Sequence, residues 1–400
     1  MISVETALAQ ILATAAPLAP ERVELLDAEG RFAALSVTAR YALPSFDNSA
    51  MDGYAVRVAD GATPRRVIGT VACGDAPGAL CVNPGETARI MTGAPLPPGA
   101  DAVIMQEEAS RDGDTCSFSR APSLGQHVRR LGSDVAVGDA ILSPGEFLSP
   151  AAISTLAAQG KAGVVVHRRP LVAILSTGSE LVELDEAPGP GQLVNSNSYA
   201  LAALVKAAGG VPVLLGIARD DRAETETLLS RALFADVLLT SGGVSVGEFD
   251  YVKECLDALG YQPGFWKVAM KPGKPVVFGT LHGKPVLGLP GNPASCQVSF
   301  ELFARPLLRR LLGDPNPVRP RVRVTLRAPL SSGERRNFVR AVVSVAADGS
   351  LSALPMRKQG SSDLRSMLGA NAVLDVPPQV ELGAGDTIHA ILFEALKAAE

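Results

Sequence analysis

Between Pro170 and about Gly313 short apolar runs alternate with helical stretches, and each run ends in a polar loop, an order that few folds can accommodate. Residues 171–176, 211–217 and 236–240 read as strands, and residues 198–208, 221–234 and 249–259 as helices. A further strand is expected at 265–270. Residues 274–278 and 284–289 suggest a hairpin across His282-Gly283, and a long helix at 294–312 follows, with Asn292 as its N-cap and Pro293 in its first turn. Gly209-Gly210 offers a left-handed helix end. The pattern predicts an α/β sheet that is at least partly parallel.

The flanks have a different texture. Residues 41–137 are dense in Gly and Pro, with short alternating runs at 54–58 and 66–71, and predict a small β-rich domain. Val4, Ala7, Leu8, Ile11, Leu12 and Ala15 share one face of an N-terminal helix, and helical spacing returns at 149–159 through Ala152, Ile153, Leu156 and Ala157. The two helices are expected to pack together, which makes one domain of residues 1–40 and 138–169 and an insertion of residues 41–137. After Asp314-Pro315-Asn316-Pro317, Val322, Val324 and Leu326 alternate with Arg321, Arg323, Thr325 and Arg327. Asp348-Gly349 marks a hairpin turn, so residues 315–400 should form a small β-barrel or sandwich behind an α/β domain at 170–314. The expected class is multidomain, α/β plus β.

Composition narrows the partners. With 37 basic and 41 acidic residues the net charge is −4, which argues against a nucleic-acid coat or a polybasic membrane binder. No basic leader precedes the first helix, and no uninterrupted apolar run reaches roughly 18 residues, so a soluble cytoplasmic protein is expected. The five cysteines are widely spaced without a C-x-x-C pair, and the four histidines are scattered, which signals neither a disulfide framework nor a zinc site.

In α/β sheets ligands collect at the carboxyl ends of the parallel strands. The loops expected there are Thr177-Gly178-Ser179-Glu180, Arg219-Asp220-Asp221, the glycine-rich run from Thr240 through Ser241, Gly242, Gly243, Ser245 and Gly247 to Asp250, and Pro290-Gly291-Asn292-Pro293. Glycine backbone and helix N-termini suit phosphate oxygens. Glu180, Asp220 and Asp250 would repel a phosphate unless magnesium, an oxygen-seeking cation, lay between them. Lys267, Lys271 and Lys274 would neutralise further anionic charge. The segment therefore reads as a magnesium-assisted phosphate-ester or nucleotide site.

Plainer readings compete. A glycine-rich loop can be only a tight turn, Asp220-Asp221 can cap a helix, and lysines in a turn can be merely solvated. Gly243-Val244-Ser245-Val246-Gly247 also matches the G-x-S-x-G nucleophile elbow, with Asp250 and His282 in the order a hydrolase triad requires. Against it, Ser241-Gly242-Gly243 already breaks the strand before the serine. There is no Walker loop and no G-x-G-x-x-G.

Six segments taken in order are more specific: F-D-N-S-A-M-D-G-Y-A-V at 46–56, M-T-G-A-P-L-P at 91–97, S-T-G-S-E-L at 176–181, S-G-G-V-S-V-G-E-F-D-Y at 241–251, K-P-G-K-P at 271–275 and L-P-G-N-P-A-S at 289–295. Nearly the whole chain resembles the molybdopterin molybdenumtransferase family, which acts last in molybdenum-cofactor biosynthesis and is related to the C-terminal part of gephyrin. The resemblance implies an elongated four-part homodimer with a central domain of molybdopterin-binding type. It also implies a magnesium-dependent reaction of adenylylated molybdopterin with molybdate, releasing AMP. It assigns Asp52, Asp134, Glu180, Asp220 and Asp250 to catalysis, with the last three on the metal. It adds Thr92, Arg129, Arg336, Arg340 and Ser361 to the substrate-binding loops and lysines, and places the insertion of one subunit opposite the α/β domain of the other. A non-enzymatic scaffold that holds molybdopterin for a protein partner is the alternative within the family, whose other partners would be molybdopterin adenylyltransferase and apo-molybdoenzymes. Ser179 and Ser133 depart from the family pattern, where Asp and Glu usually stand, while Glu180 and Asp134 remain.

Overall fold

The computed structural model describes residues 1–219, 221–243 and 251–398. They form two compact units, one of residues 1–34, 144–149 and 163–400, the other of residues 35–143 and 150–162. Helix α1 (Val4–Ala13) opens the first unit, with Ser3 Oγ accepting from the Thr6 N–H. Its Val4, Ala7 and Ile11 are buried in the core of the α/β layer.

The second unit is built on a six-stranded sheet of β1 (Gly53–Val56), β2 (Arg65–Val71), β3 (Glu86–Ile90), β4 (Ala102–Met105), β5 (Ala109–Asp112) and β6 (Thr115–Phe118), in the order β4-β1-β3-β2-β6-β5. Ala55, Ala88, Ile90 and Val103 face one side of it, and Tyr54, Val56, Ile104 and Phe118 the other. Helix α2 (Pro150–Ala158) belongs to this unit. An apolar face shows that a helix buries one side, but not against which element, and α1 buries its own within the first unit.

The α/β layer follows in chain order as β7 (Leu171–Thr177), α3 (Ser196–Ala207), β8 (Val211–Ala218), α4 (Arg222–Arg231), β9 (Val237–Ser241), α5 (Tyr251–Ala258), β10 (Tyr261–Trp266), β11 (Val277–Leu281), β12 (Lys284–Leu289) and α6 (Pro293–Ser299). The sheet order is β8-β7-β9-β12-β11-β10, the first four strands parallel and the last two antiparallel to their neighbours. Central strands covered on both faces must be apolar throughout. Val172, Ile174, Val237 and Leu239 accordingly meet Leu201 and Val205 of α3 on one face, while Ala173, Leu175 and Leu238 meet Leu229 of α4 and Leu256 of α5 on the other. The strand expected at 265–270 lies instead at 261–266, and the first hairpin strand begins at Val277 rather than 274. The long final helix runs from α6 through a π turn (Phe300–Ala304) into α7 (Arg305–Leu311). Pro306 has no N–H to offer the carbonyl four residues back, and the wider turn before it accommodates that loss. α1 packs on this helix.

The C-terminal region is built on β13 (Arg321–Leu326), β14 (Arg336–Val345), β15 (Leu351–Pro355), β16 (Ala372–Val376) and β17 (Thr387–Leu392), with α8 (Leu364–Gly369) between β15 and β16. They close as β14-β15-β13-β17-β16 and back to β14, a five-stranded barrel. Val324, Leu326, Val339, Ala341, Leu374 and Ile388 fill it, in agreement with the expected alternation. Phe338, Val373 and Ile391 point outward into the core that also holds α1 and α7. Among the described residues no helix is long and apolar enough to cross a membrane.

Candidate active site

In the order β8-β7-β9 the chain turns to opposite sides after β7 and β9, which opens a crevice between their carboxyl ends. The structure holds a cleft there of about 700 Å3. Thr177 and Glu180 line it from β7, Ser241, Gly242 and Gly243 from β9, Pro290, Gly291, Asn292 and Pro293 from β12, and Asn195, Ser196 and Asn197 from the first turn of α3. Three of the four predicted loops thus meet in one place.

Buried polar groups set the walls. The Ser176 hydroxyl at the end of β7 donates to Asn195 Oδ1 at 2.9 Å and lies 2.8 Å from Ser198 Oγ. Asn195 caps α3 by accepting the Ser198 N–H at 3.3 Å. Two residues on, Asn197 Nδ2 donates to Ser241 Oγ at 2.8 Å and to the Gly291 carbonyl at 2.7 Å, while its Oδ1 is buried without a partner. Gly242 has φ +85°, and a Cβ there would stand 2.8 Å from the Thr177 carbonyl oxygen. The close approach of these loops requires glycine.

Helix α6 departs from the expectation. Asn292 and Pro293 occupy its cap and first position, but the N–H groups of Ala294 and Ser295 point to the Ser361 carbonyl at 3.0 and 3.3 Å. The helix end assigned to phosphate is thus already capped, and the first turn of α3 lines the cleft. Lys271 and Lys274 are exposed on the loop that ends at Pro275, itself part of the cleft wall. Lys267 precedes them at φ +78°. Arg340 is fully buried, and its Nη2 donates to the Gly360 carbonyl at 2.9 Å, beside Ser361. Its Nε and Nη1 have no partner. Arg336 forks onto Asp375 at 2.5 and 2.6 Å and also donates to Glu5. These two arginines support the surroundings of the cleft and are not among its lining residues.

Glu180 is exposed, its carboxylate folded over Gly178, where a Cβ would meet Oε2 at 2.3 Å. Asp220, Ser245, Gly247 and Asp250 lie outside the described residues. Among the described residues no three His, Cys, Asp or Glu side chains gather as a metal site. His282 turns the hairpin at the amino end of β12, whereas Pro290 follows its carboxyl end, about 20 Å away along a strand of this length. His282 therefore stands at the end of this hairpin away from the loops that line the cleft.

In the second unit the antiparallel pairing of Gly53 with Ile90 brings Asp52 beside the loop after β3. Asp52 Oδ1 accepts from the Thr92 N–H at 2.7 Å and the Thr92 hydroxyl at 2.8 Å, which holds the carboxyl below its usual range. A Cβ on Gly53 would lie 2.0 Å from the Ile104 carbonyl oxygen, which explains the glycine after Asp52. Arg129 and Asp134 are exposed. Sequence reasoning missed Asn195 and Asn197, although the polar run Asn195-Ser196-Asn197-Ser198 directly before an apolar-periodic stretch is a capping signal.

Three family models match in succession: "MoeA N-terminal region (domain I and II)" over residues 2–160, "Probable molybdopterin binding domain" over 173–310 and "MoeA C-terminal region (domain IV)" over 323–393. The chain is 41% identical over 384 residues to molybdopterin molybdenumtransferase 2 of Mycobacterium tuberculosis, covering 92% of this chain and 94% of that one. It is 35% identical to the molybdopterin molybdenumtransferase of Haemophilus influenzae, covering 93% of each. The crystal structure of the molybdopterin biosynthesis MoeA protein from Pyrococcus horikoshii OT3 superposes with a TM-score of 0.86 at 30% identity, over 98% of this chain and all of that one. Fold, domain order and close relatives agree, and the chain belongs to the MoeA family of molybdopterin molybdenumtransferases.

Proposed function

We propose that the cleft between β7 and β9 is where adenylylated molybdopterin reacts with molybdate, giving molybdenum cofactor and AMP. The observation that carries this reading is the cleft's chemistry. Bare glycine backbone at Gly242, Gly243 and Gly291 can approach phosphate oxygens, and the buried, unpartnered Oδ1 of Asn197 can accept from a heterocycle N–H. Asn292 adds a side-chain donor at the rim, and the buried Ser241 hydroxyl adds one on the wall.

No covalent enzyme intermediate is needed, because two anions held in line account for most of such a rate. Lys271 and Lys274 offset the oxyanion charge at the Pro275 side of the cleft, with Lys267 behind them. Arg340 fixes the Gly360-Ser361 turn through the Gly360 carbonyl. Glu180, Asp220 and Asp250 would together offer an oxygen-only donor set, which suits magnesium, and magnesium when bound would offset the charge of the two anionic substrates. The chain is proposed to work in the cytoplasm as a homodimer in which Asp52, Thr92, Arg129 and Asp134 serve catalysis and substrate binding from the partner subunit.

The test is direct. Purified protein given adenylylated molybdopterin, molybdate and magnesium should release AMP and yield cofactor that matures an apo-molybdoenzyme; release of neither overturns the assignment. Mixing Asp52→Ala with Asp250→Ala subunits should recover activity, up to about half of the sites for symmetric exchange. No recovery in heterodimers verified by mass would place both residues in one subunit's site.

A further inference from the structure

The loop that carries Lys267, Lys271 and Lys274 is held by the beginning of the chain. Ile2 forms a parallel bridge with Val268: its N–H donates to the Lys267 carbonyl at 3.4 Å, and its carbonyl accepts the Ala269 N–H at 2.8 Å. Lys267 sits in the left-handed region at φ +78°, a conformation lysine keeps only where its neighbours impose it. Its N–H donates to the Val276 carbonyl at 3.0 Å, and the Val268 N–H donates to the Lys274 carbonyl at 3.0 Å, so the loop is also closed on itself.

A second grip comes from the barrel. Met270 and Lys271 pair in parallel with Arg336 and Asn337 of β14, and Arg335 Nη1 donates to the Met270 carbonyl at 3.1 Å. The same Arg336 is fastened to the N-terminal segment. It donates to Glu5, three residues after Ile2, while its fork engages Asp375. Arg321 completes the cluster, 3.1 Å from Asp375 and 3.7 Å from Glu5. Arg336 pulls the Glu5 carboxyl below its ordinary range, and the hydrogen bonds to Asp375 and Glu5 push the guanidinium up. With both faces of its fork committed to carboxylates, Arg336 has little left to offer an anion in the cleft.

We propose that residues 2–5 are a strap that sets where Lys271 and Lys274 present their charge, and that Glu5 is a positioning residue acting through Arg336. The inference rests on reading those lysines as oxyanion ligands. Glu5 reaches the lysine loop only through the strand beside it, so its loss should loosen the loop and spare the organic substrate.

The experiment compares the full-length wild type with Glu5→Gln, Ile2→Pro, Arg336→Lys and Lys274→Gln, following AMP release against molybdate concentration and amide hydrogen exchange across residues 267–274. Glu5→Gln and Ile2→Pro should each raise the molybdate KM roughly three- to tenfold, the size of one lost hydrogen bond, with kcat within about twofold of wild type. The KM for adenylylated molybdopterin should not move, and the Ala269 amide should exchange faster. Arg336→Lys should fall between, since lysine keeps the charge and loses the fork. If Lys274→Gln raises the molybdate KM while Glu5→Gln and Ile2→Pro leave both it and the exchange unchanged, the strap is refuted and the lysine reading stands. If Lys274→Gln changes nothing, the lysine reading fails and takes the strap with it. Should Glu5→Gln fail to fold, Ile2→Pro, which removes one donor N–H at the chain's edge, decides the matter.

Discussion

The side-chain amide of Asn197 lies 2.8 Å from the Ser241 hydroxyl, and through its second bond to Gly291 it joins the start of α3 to the loops after β9 and β12. Asn197→Ala removes both bonds and the unpartnered acceptor. AMP binding, measured by calorimetry, should weaken by about 1–3 kcal/mol, the cost of leaving buried polar groups unmade. Asn197→Asp should fare no better, because a carboxylate faces the Gly291 carbonyl where a donor is required. Full affinity in both variants would remove Asn197 from the site.

Gly242 and Gly291 make a matched pair. Gly242→Ala should destabilise the first unit by about 1–3 kcal/mol, since the position is left-handed and the new methyl would stand 2.8 Å from the Thr177 carbonyl. Gly291→Ala meets Gly242 Cα at an ordinary 3.6 Å and should change the urea midpoint little while narrowing the cleft. Equal urea midpoints for the two variants would contradict this account of the loop approach.

The thiols offer a cheap probe of the same region. Cys73 and Cys81 are exposed, and Cys116, Cys255 and Cys296 are buried. Burial pushes the Cys296 thiol up to about 12, with only the Ser241 hydroxyl 4.0 Å away to oppose it. A disulfide reagent at neutral pH should therefore consume two thiols quickly and the other three on the timescale of opening or unfolding. Rapid labelling of Cys296 in the folded protein would show that the packing behind Ser241 is looser than described.

Much of the architecture is legible from the chain because the central strands are buried on both faces. No polar residue interrupts 171–175 or 237–239, and a glycine-bearing loop follows each strand. The strand at 261–266 escapes the same reasoning because Pro263-Gly264 breaks its alternation, and the register shift between Pro263 and Phe265 turns Phe265 to one face of the sheet while Tyr261 faces the other. The partner of α1 lies some three hundred residues along the chain, beyond the reach of periodicity. The arginines show the same limit. The resemblance offers Arg336 and Arg340 as anion ligands, but whether a guanidinium is already taken depends on Asp375, Glu5 and Gly360, which only the folded chain brings near.

A pH experiment can isolate one ion pair at the base of the sheet. Arg168 donates to both oxygens of Asp236 at 2.6 Å, and the Leu171 N–H donates to Asp236 Oδ2 at 2.9 Å, which ties the entry of β7 to the entry of β9. Burial works to raise the Asp236 carboxyl, but the Arg168 fork and the Leu171 N–H outweigh it and hold the group below the ordinary carboxylate range. A carboxyl with a depressed folded-state pKa contributes stability that is fully present above its unfolded pKa and lost as pH falls through the folded value. Because Arg168 is partly exposed, the pair should contribute no more than about 1 kcal/mol. Asp236→Asn should therefore lower the urea midpoint by a margin that is the same at pH 7 and pH 5 and shrinks below about pH 4, where the unfolded chain's carboxyl takes up a proton that the folded one still refuses. A margin that stays constant down to the acid limit would mean that the charge on Asp236 contributes nothing and that its hydrogen bonds alone hold the two strands.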